Sequence, residues 1–184
     1  DIEGAKTLAN INIKAFKCDD LDAILTLCPA CGITLKQDYE RLTDNSNFTL
    51  KIYDISEYIA KCTDYNTQKL DISVTYHDPC YLRLGQKVSA EPRQILKGIA
   101  EYIEMKDANK CCGYGGTLAL FHPEISQKIG ESKVKNIINS GADFIATGCP
   151  GCILFINDML KKSGINKNVL HTIQIFQRSL DHSI

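Results

Sequence analysis

An α/β fold with a mainly parallel sheet flanked by helices follows from three features of the sequence. Short β-branched or aliphatic runs alternate with helix-length amphipathic segments, an order that sets parallel strands side by side with helices across them. Two of those strands run into the same Cys-Pro-x-Cys turn, at Cys28–Cys31 and Cys149–Cys152. The turns lie in matching segments, Asp22-Ala23-Ile24-Leu25-Thr26-Leu27-Cys28 and Asp143-Phe144-Ile145-Ala146-Thr147-Gly148-Cys149, offset by 121 residues from Cys28 to Cys149. A repeated strand, turn and helix implies related structural units.

From the N-terminus, Ala5, Leu8, Ala9, Ile13 and Phe16 recur at helical spacing and predict a helix over Ile2–Phe16. Ala23–Leu27 reads as a short strand, apolar on both faces and therefore buried. After Cys28-Pro29-Ala30-Cys31-Gly32 a helix is expected from about Ile33 to Leu42. Asp44-Asn45-Ser46-Asn47 is a turn cluster, Leu50–Tyr53 a strand and Ile55–Ala60 a helix. The polar stretch Thr63–Lys69 reads as a linker, dividing the chain into residues 1–69 and 70–184.

In the second part, the β-branched and aromatic residues of Asp71–His77 predict a strand that ends in Asp78-Pro79-Cys80. A helix is expected from Pro92 to about Ile99, and a strand over Tyr102–Met105. Lys110-Cys111-Cys112-Gly113-Tyr114-Gly115-Gly116 has no periodicity and must be irregular. Pro123 opens a long helix with Ile125, Ile129, Val134, Ile137 and Ile138 on one side, and Gly141 stops it. Asp143–Thr147 is a strand, the helix after Cys149-Pro150-Gly151-Cys152 runs to about Lys162, and Val169–Ile173 leads into a last helix ending near Leu180.

The chain has 184 residues, 44% hydrophobic and 23% charged, enough to bury a core and too apolar for disorder. A net charge of −1 argues against a nucleic-acid surface, which needs many cations to displace counterions. No apolar run is long enough to span a membrane, so no direct insertion is expected. The nine cysteines fit poorly with a secreted disulfide scaffold, because the chain carries long helical patterns and no signal segment. A cytoplasmic, reducing compartment is expected instead, where clustered cysteines hold metal or do redox work.

The later unit reads Cys80, then Cys111-Cys112-Gly113, then Cys149-x-x-Cys152. Thiolates from three loops would converge at one end of the sheet, where α/β folds bind ligands. Five sulfurs exceed the four of a tetrahedral zinc site and the four of an ordinary iron–sulfur cluster. Adjacent cysteines suit neighbouring irons better than one ion, and Gly113, Gly115 and Gly116 let backbone approach a bulky group. In the earlier unit, Cys28 and Cys31 match the closing pair, but positions matching the upstream cysteines fall before residue 1. With no initiator Met, the chain is expected to be a C-terminal fragment holding one complete unit and part of its predecessor.

Four stretches carry a specific resemblance: His77-Asp78-Pro79-Cys80-Tyr81-Leu82, the loop Cys111–Gly116, Phe121-His122-Pro123-Glu124 and Ala146-Thr147-Gly148-Cys149-Pro150-Gly151-Cys152. They resemble the cysteine-rich CCG domain family, which includes a subunit of heterodisulfide reductase and the iron–sulfur subunits of glycolate oxidase, lactate-utilisation and anaerobic glycerol-3-phosphate dehydrogenase complexes. The resemblance implies an electron-handling oxidoreductase subunit with a non-cubane 4Fe–4S cluster on Cys80, Cys111, Cys112, Cys149 and Cys152; some CCG domains hold zinc instead. It further implies partner subunits, a flavin dehydrogenase or a ferredoxin-type iron–sulfur domain, with electrons passing to a disulfide or quinone. Membrane association would come only through such a partner, at the inner face, and the fragment alone is expected to lack turnover.

Two other readings stand beside this one. A structural zinc module for protein interaction needs only four of the five cysteines. A thioredoxin-like dithiol oxidoreductase would use Cys28 or Cys149 as nucleophile at a helix N-terminus. The glycine loop lacks the third Gly of a dinucleotide fingerprint and has no Gly-Lys-Ser/Thr. Cys18 and Cys62 read as structural thiols, His77 as a sulfur hydrogen-bond donor or strand-end residue, His122 as a helix cap, and Arg83 as a cluster counter-charge or solvated side chain.

Overall fold

A computed structural model describes residues 1–17, 20–43, 45–61 and 65–180. Cys18 and Cys62 lie outside the described residues. The chain opens with α1 (Ile2–Phe16), whose first turn is capped by Asp1 accepting from the Gly4 N–H at 3.0 Å. Next come β1 (Ile24–Thr26), α2 (Pro29–Ile33), a π-helical turn over Thr34–Asp38, α3 (Tyr39–Thr43), α4 (Ser46–Thr49), β2 (Ile52–Asp54) and α5 (Ile55–Lys61). β1 and β2 pair in parallel, Ile24 with Ile52 and Thr26 with Asp54, and Ala9, Ile24, Tyr39, Phe48 and Ile52 pack into one core.

The rest is a three-layer α/β arrangement on a parallel sheet of order β4-β3-β5-β6. Its elements are β3 (Ser73–His77), a π-helical segment Tyr81–Gln86, α6 (Ala90–Ile99), β4 (Glu101–Tyr102), α7 (Thr117–Phe121), α8 (Pro123–Ser140), β5 (Phe144–Thr147), α9 (Pro150–Lys162), β6 (Val169–His171) and α10 (Thr172–Ser179). Alternation along β5 sends Ile145 to a core with Val134, Ile137, Ile156 and Leu160 of α8 and α9. Its neighbour Ala146 joins Val74, Tyr76, Leu96 and Phe176 on the face covered by α6 and α10.

The two Cys-Pro-x-Cys turns share a backbone geometry. Cys28 and Cys149 both cap a helix whose first residue is proline, at φ/ψ −130/115° and −132/117°. The strand before each pairs in parallel with the strand after its helix, β1 with β2 and β5 with β6. They diverge afterwards: α9 is continuous, whereas the helix after Cys28 is interrupted by the π-helical turn at Thr34–Asp38.

Several local expectations need correction. Leu25 is 43% exposed, because β1 belongs to a two-stranded sheet with one face open. The helix after Cys28 starts at Pro29, since proline is pre-shaped for a first turn. The later strand is Glu101–Tyr102, so of the expected Tyr102–Met105 only Tyr102 lies in it, and Met105 is instead buried beside Ala108. Ile125 and Ile138 are exposed, and the inner face of α8 is Ser126, Gly130, Lys133, Val134 and Ile137. His122 caps α8 through its carbonyl, which accepts from Ile125 and Ser126, and not through its ring. The described part of the expected linker is pinned: Thr67 bridges Leu180 and the Gln68 N–H donates to Ser179 O at 2.7 Å.

The first Cys-Pro-x-Cys turn is tied to the later part of the chain. Gln86 Nε2 donates to Pro29 O at 3.0 Å and Gln37 Nε2 to Gly85 O at 2.9 Å. His171 Nδ1 accepts from the Ile173 N–H, which leaves the hydrogen on Nε2 to donate to Leu27 O at 3.1 Å. These bonds lay the first Cys-Pro-x-Cys turn against the segment that follows Cys80.

Asp54, fully buried at the end of β2, accepts from the Ser56 N–H at 2.8 Å through Oδ1, while Oδ2 has no partner. Burial pushes its carboxyl up to about 6. Because the folded value lies above the unfolded one, this group contributes stability at low pH that is lost as pH rises through about 6. Asp54→Asn keeps the acceptor without the charge. Relative to the parent, it should gain about 2 kcal/mol near neutral pH and nothing below about pH 4, read from urea denaturation across that range.

Candidate metal centre

The site forms beyond the C-terminal ends of β3 and β5, where neighbouring parallel strands hand the chain to loops and helix N-termini. β3 leads through Asp78-Pro79 to Cys80, the loop after β4 carries Cys111 and Cys112, and β5 leads to Cys149 and Cys152 at the start of α9. All five sulfur-bearing residues line one cavity of about 390 Å³, together with His77, Tyr81 and Tyr114. Cys112 Sγ and Cys152 Sγ are 3.4 Å apart, and a ring nitrogen of His77 joins them in a cluster spanning no more than 4.8 Å. Cys112 and Cys152 form the buried floor, Cys111 and Cys149 are half-buried, and Cys80 is exposed at the rim.

Cys28 also lines this cavity, whereas Cys31 is exposed and does not. The first Cys-Pro-x-Cys turn therefore borders the second unit's site, an arrangement that the linear order of the cysteines does not reveal. It follows from the Gln86–Pro29 and His171–Leu27 bonds.

The loop needs glycine for a steric reason. Gly113 has φ +109°, and a Cβ there would fall 2.6 Å from Ser126 O and 2.9 Å from the Phe155 ring. Its N–H points at Cys111 Sγ at 3.3 Å, and its carbonyl accepts from Ser126 Oγ at 2.9 Å. Gly113→Ala is expected to cost about 2 kcal/mol in chemical denaturation, through left-handed strain and displacement from α8.

The thiols share protons unequally. Hydrogen bonds from Cys111 and then Cys152 hold Cys112 far below the usual thiol range, and the same bonds push Cys111 and Cys152 up. A hydrogen bond from Cys152, opposed by burial and aided by the N–H groups of Cys152 and Gly151, pulls Cys149 down to about 6. The arrangement favours the thiolate form at Cys112 and Cys149 and the thiol form at Cys111 and Cys152, a set that a metal cation would complete by displacing protons. His77 is buried, no hydrogen bond to its two ring nitrogens is formed among the described residues, and burial lowers its affinity for a proton against the opposing pull of Cys112. A neutral imidazole facing sulfur is suited to donate to, or ligate beside, a metal–thiolate group.

Beneath the Cys80 loop, Arg93 grips Asp78 with Nη1–Oδ1 at 2.8 Å and Nη2–Oδ2 at 2.7 Å, and reaches Glu104 with Nε at 2.7 Å. Ser89 Oγ donates to the same Asp78 oxygen at 3.0 Å. Sequence reasoning missed Arg93, which is 15 residues from Asp78 and carries no local signal. Among the described residues, the Arg83 side chain reaches Asn109 O, at 3.4 Å. Lys133 was also missed, although Ile129, Lys133 and Ile137 recur every four residues and put a lysine on an apolar helix face.

The family model described as CCG, a cysteine-rich domain, matches residues 2–36 and 74–157. The chain belongs to this family. The longer CCG match contains Cys80, Cys111, Cys112, Cys149 and Cys152, and the shorter one Cys28 and Cys31. Over 147 residues the chain is 42% identical to a subunit of the fumarate reductase (CoM/CoB) of Methanothermobacter marburgensis, covering 78% of this chain and 29% of the relative. It is 33% identical over 192 residues to the probable glycolate oxidase iron-sulfur subunit of Bacillus subtilis, covering 96% of this chain and 43% of the relative. The CCG chain thus spans less than half of either relative. A hypothetical protein from Helicobacter pylori of known crystal structure shares the fold, with a TM-score of 0.51, 14% identity, and coverage of 81% of this chain and 30% of the other.

Proposed function

We propose that this CCG chain is the cluster-bearing part of an iron–sulfur redox subunit in an oxidoreductase complex. The observation that carries this reading is the gathering of the five motif cysteines, with Cys28 beside them, around one cavity with a neutral histidine at its floor. The names of two relatives, a fumarate reductase subunit and a glycolate oxidase iron-sulfur subunit, support it. Cys80, Cys111, Cys112, Cys149 and Cys152 would hold the group, a non-cubane 4Fe–4S cluster, which when bound supplies a one-electron store. The donor set fits: thiolates suit iron and sulfide, five of them suit a group larger than one ion, and glycine backbone leaves it room.

The chain's own residues orient and shield the sulfurs. The Gly113 N–H donates toward Cys111, and the N–H groups of Gly151 and Cys152 donate toward Cys149, which favours the thiolate forms. Tyr114 and Phe155, with ring centroids 6.0 Å apart, pack against the glycines at Gly151 and Gly113. Electrons would come from a flavin dehydrogenase or ferredoxin-type partner and leave to a disulfide or quinone. No helix among the described residues is long and apolar enough to cross a membrane, so contact with the inner face would run through a partner. A reducing cytoplasm is the compartment that keeps such thiols ready for metal.

A second reading draws on the His77–Cys112–Cys152 group, whose 4.8 Å span also suits one zinc ion completed by Cys149. A reductive titration of the full-length protein, purified without oxygen and followed by electron paramagnetic resonance, separates the two. Uptake of one electron per site with a new paramagnetic signal, reversed by a disulfide or quinone, supports the redox reading. A protein that is silent through the titration and holds one zinc overturns it.

A further inference from the structure

Lys133 is the one buried lysine among the described residues, at 2% exposure on the inner face of α8. Its Nζ donates to Asp107 O at 2.7 Å and to Ala108 O at 3.3 Å. Among the described residues it forms no ion pair with a carboxylate. Burying an ammonium without such a partner is costly unless negative charge lies elsewhere close by.

That charge comes from the Cys112 sulfur at the cavity floor together with the carboxylates of Asp107 and Asp78 outside it. The groups acting on Lys133 across the interior are Cys112, Asp107, Cys111 and Asp78. Burial lowers its proton affinity and these four groups raise it. The turn it holds is itself strained, with Asp107 at φ +56°, and the Asp78 N–H donates to the same Ala108 carbonyl at 3.1 Å. One side chain therefore ties the segment before Cys111–Cys112 to the segment before Cys80 and sets a positive charge behind both.

We propose that Lys133 is the fixed counter-charge of the five-cysteine cavity, a positioning residue that locks the Asp107–Ala108 turn and raises the reduction potential of the group the sulfurs hold. This rests on the iron–sulfur reading above. Reduction adds one electron and one negative charge to the site, and a buried cation stabilises that form more than the oxidised one. A neutral side chain of nearly the same length keeps most of the packing and loses that preference.

The test uses the full-length protein, loaded without oxygen with iron and sulfide, as parent, Lys133→Met, Lys133→Gln and Lys133→Arg. Midpoint potentials are read by dithionite titration with electron paramagnetic resonance. At the parent's midpoint, the reduced-to-oxidised ratio of the Met and Gln proteins should fall about tenfold, a shift of about 59 mV for one electron. The Arg protein should stay within about threefold of the parent. Neutral variants that match the parent, or an Arg variant that shifts as far as they do, overturn the proposal. If the neutral variants fail to hold the group, the Arg variant decides: loading with an unshifted midpoint supports a charge role, and failure to load or a shifted midpoint contradicts it. A parent that takes up no iron or sulfide overturns the iron–sulfur reading instead.

Discussion

Cys112→Ser is expected to lower iron and sulfide content at least about tenfold while far-ultraviolet circular dichroism stays unchanged. Cys112 lies at the cavity floor, 3.4 Å from Cys152 Sγ, and its depressed thiol is the centre of the shared-proton set. A serine hydroxyl nearly matches the thiol in size, so the loop should keep its fold. It does not match it as a ligand, because hydroxyl ionises far above neutral pH and soft metals prefer sulfur. Serine at Cys80, Cys111, Cys149 or Cys152 should act in the same direction. Cys18→Ser and Cys62→Ser, outside the motif, should retain the parent's metal content; loss of iron from either would mean that the ligand set has been drawn wrongly.

Arg93→Met should be the most destabilising single change away from the cysteines. Arg93 meets both Asp78 carboxylate oxygens, and Asp78 is only 2% exposed. Its guanidinium also lies 5.2 Å from the Tyr76 ring centroid. Removing it leaves a carboxylate buried with Ser89 as its remaining side-chain partner, a change that costs about 3–5 kcal/mol. The corresponding drop in Tm is about 10 °C for a chain of this size. Asp78→Asn in the Arg93→Met background should recover part of that loss, because the unpaired charge is gone. Calorimetry on the three proteins checks both statements. A double variant no more stable than Arg93→Met would show that packing, and not charge, is what Arg93 supplies.

What could be read from the sequence depended on the range of the interaction. Residues 2–16 and 123–140 declare their helices through local spacing and end signals, with Gly141 adopting φ +73° at the stop. The parallel sheet and the repeated Cys-Pro-x-Cys turn were equally legible, because strand, turn and helix are contiguous in the chain. The interrupted helix after Cys28 was not, because its π-helical turn depends on packing against Tyr81–Gln86, reached through Gln37 and Gly85. Spacing also suggested that three cysteine-bearing loops share one end of the sheet. It gave no hint that Cys28 borders the same cavity, since that contact depends on Gln86 and His171, 57 and 144 residues from their partners. Arg93 and the depth of Lys133 were hidden for the same reason: each satisfies groups on a distant loop, and no local pattern encodes that partner.

In the proposed site, Cys80, Cys111, Cys112, Cys149 and Cys152 hold one iron–sulfur group. Iron, acid-labile sulfide and zinc should be measured together on protein purified and handled without oxygen, and compared with its Cys112→Ser variant. The expected result is about four irons and about four sulfides attributable to this site, lost in the variant, with zinc below stoichiometry. One zinc per site without sulfide, or iron and sulfide equally present in the variant, would contradict it.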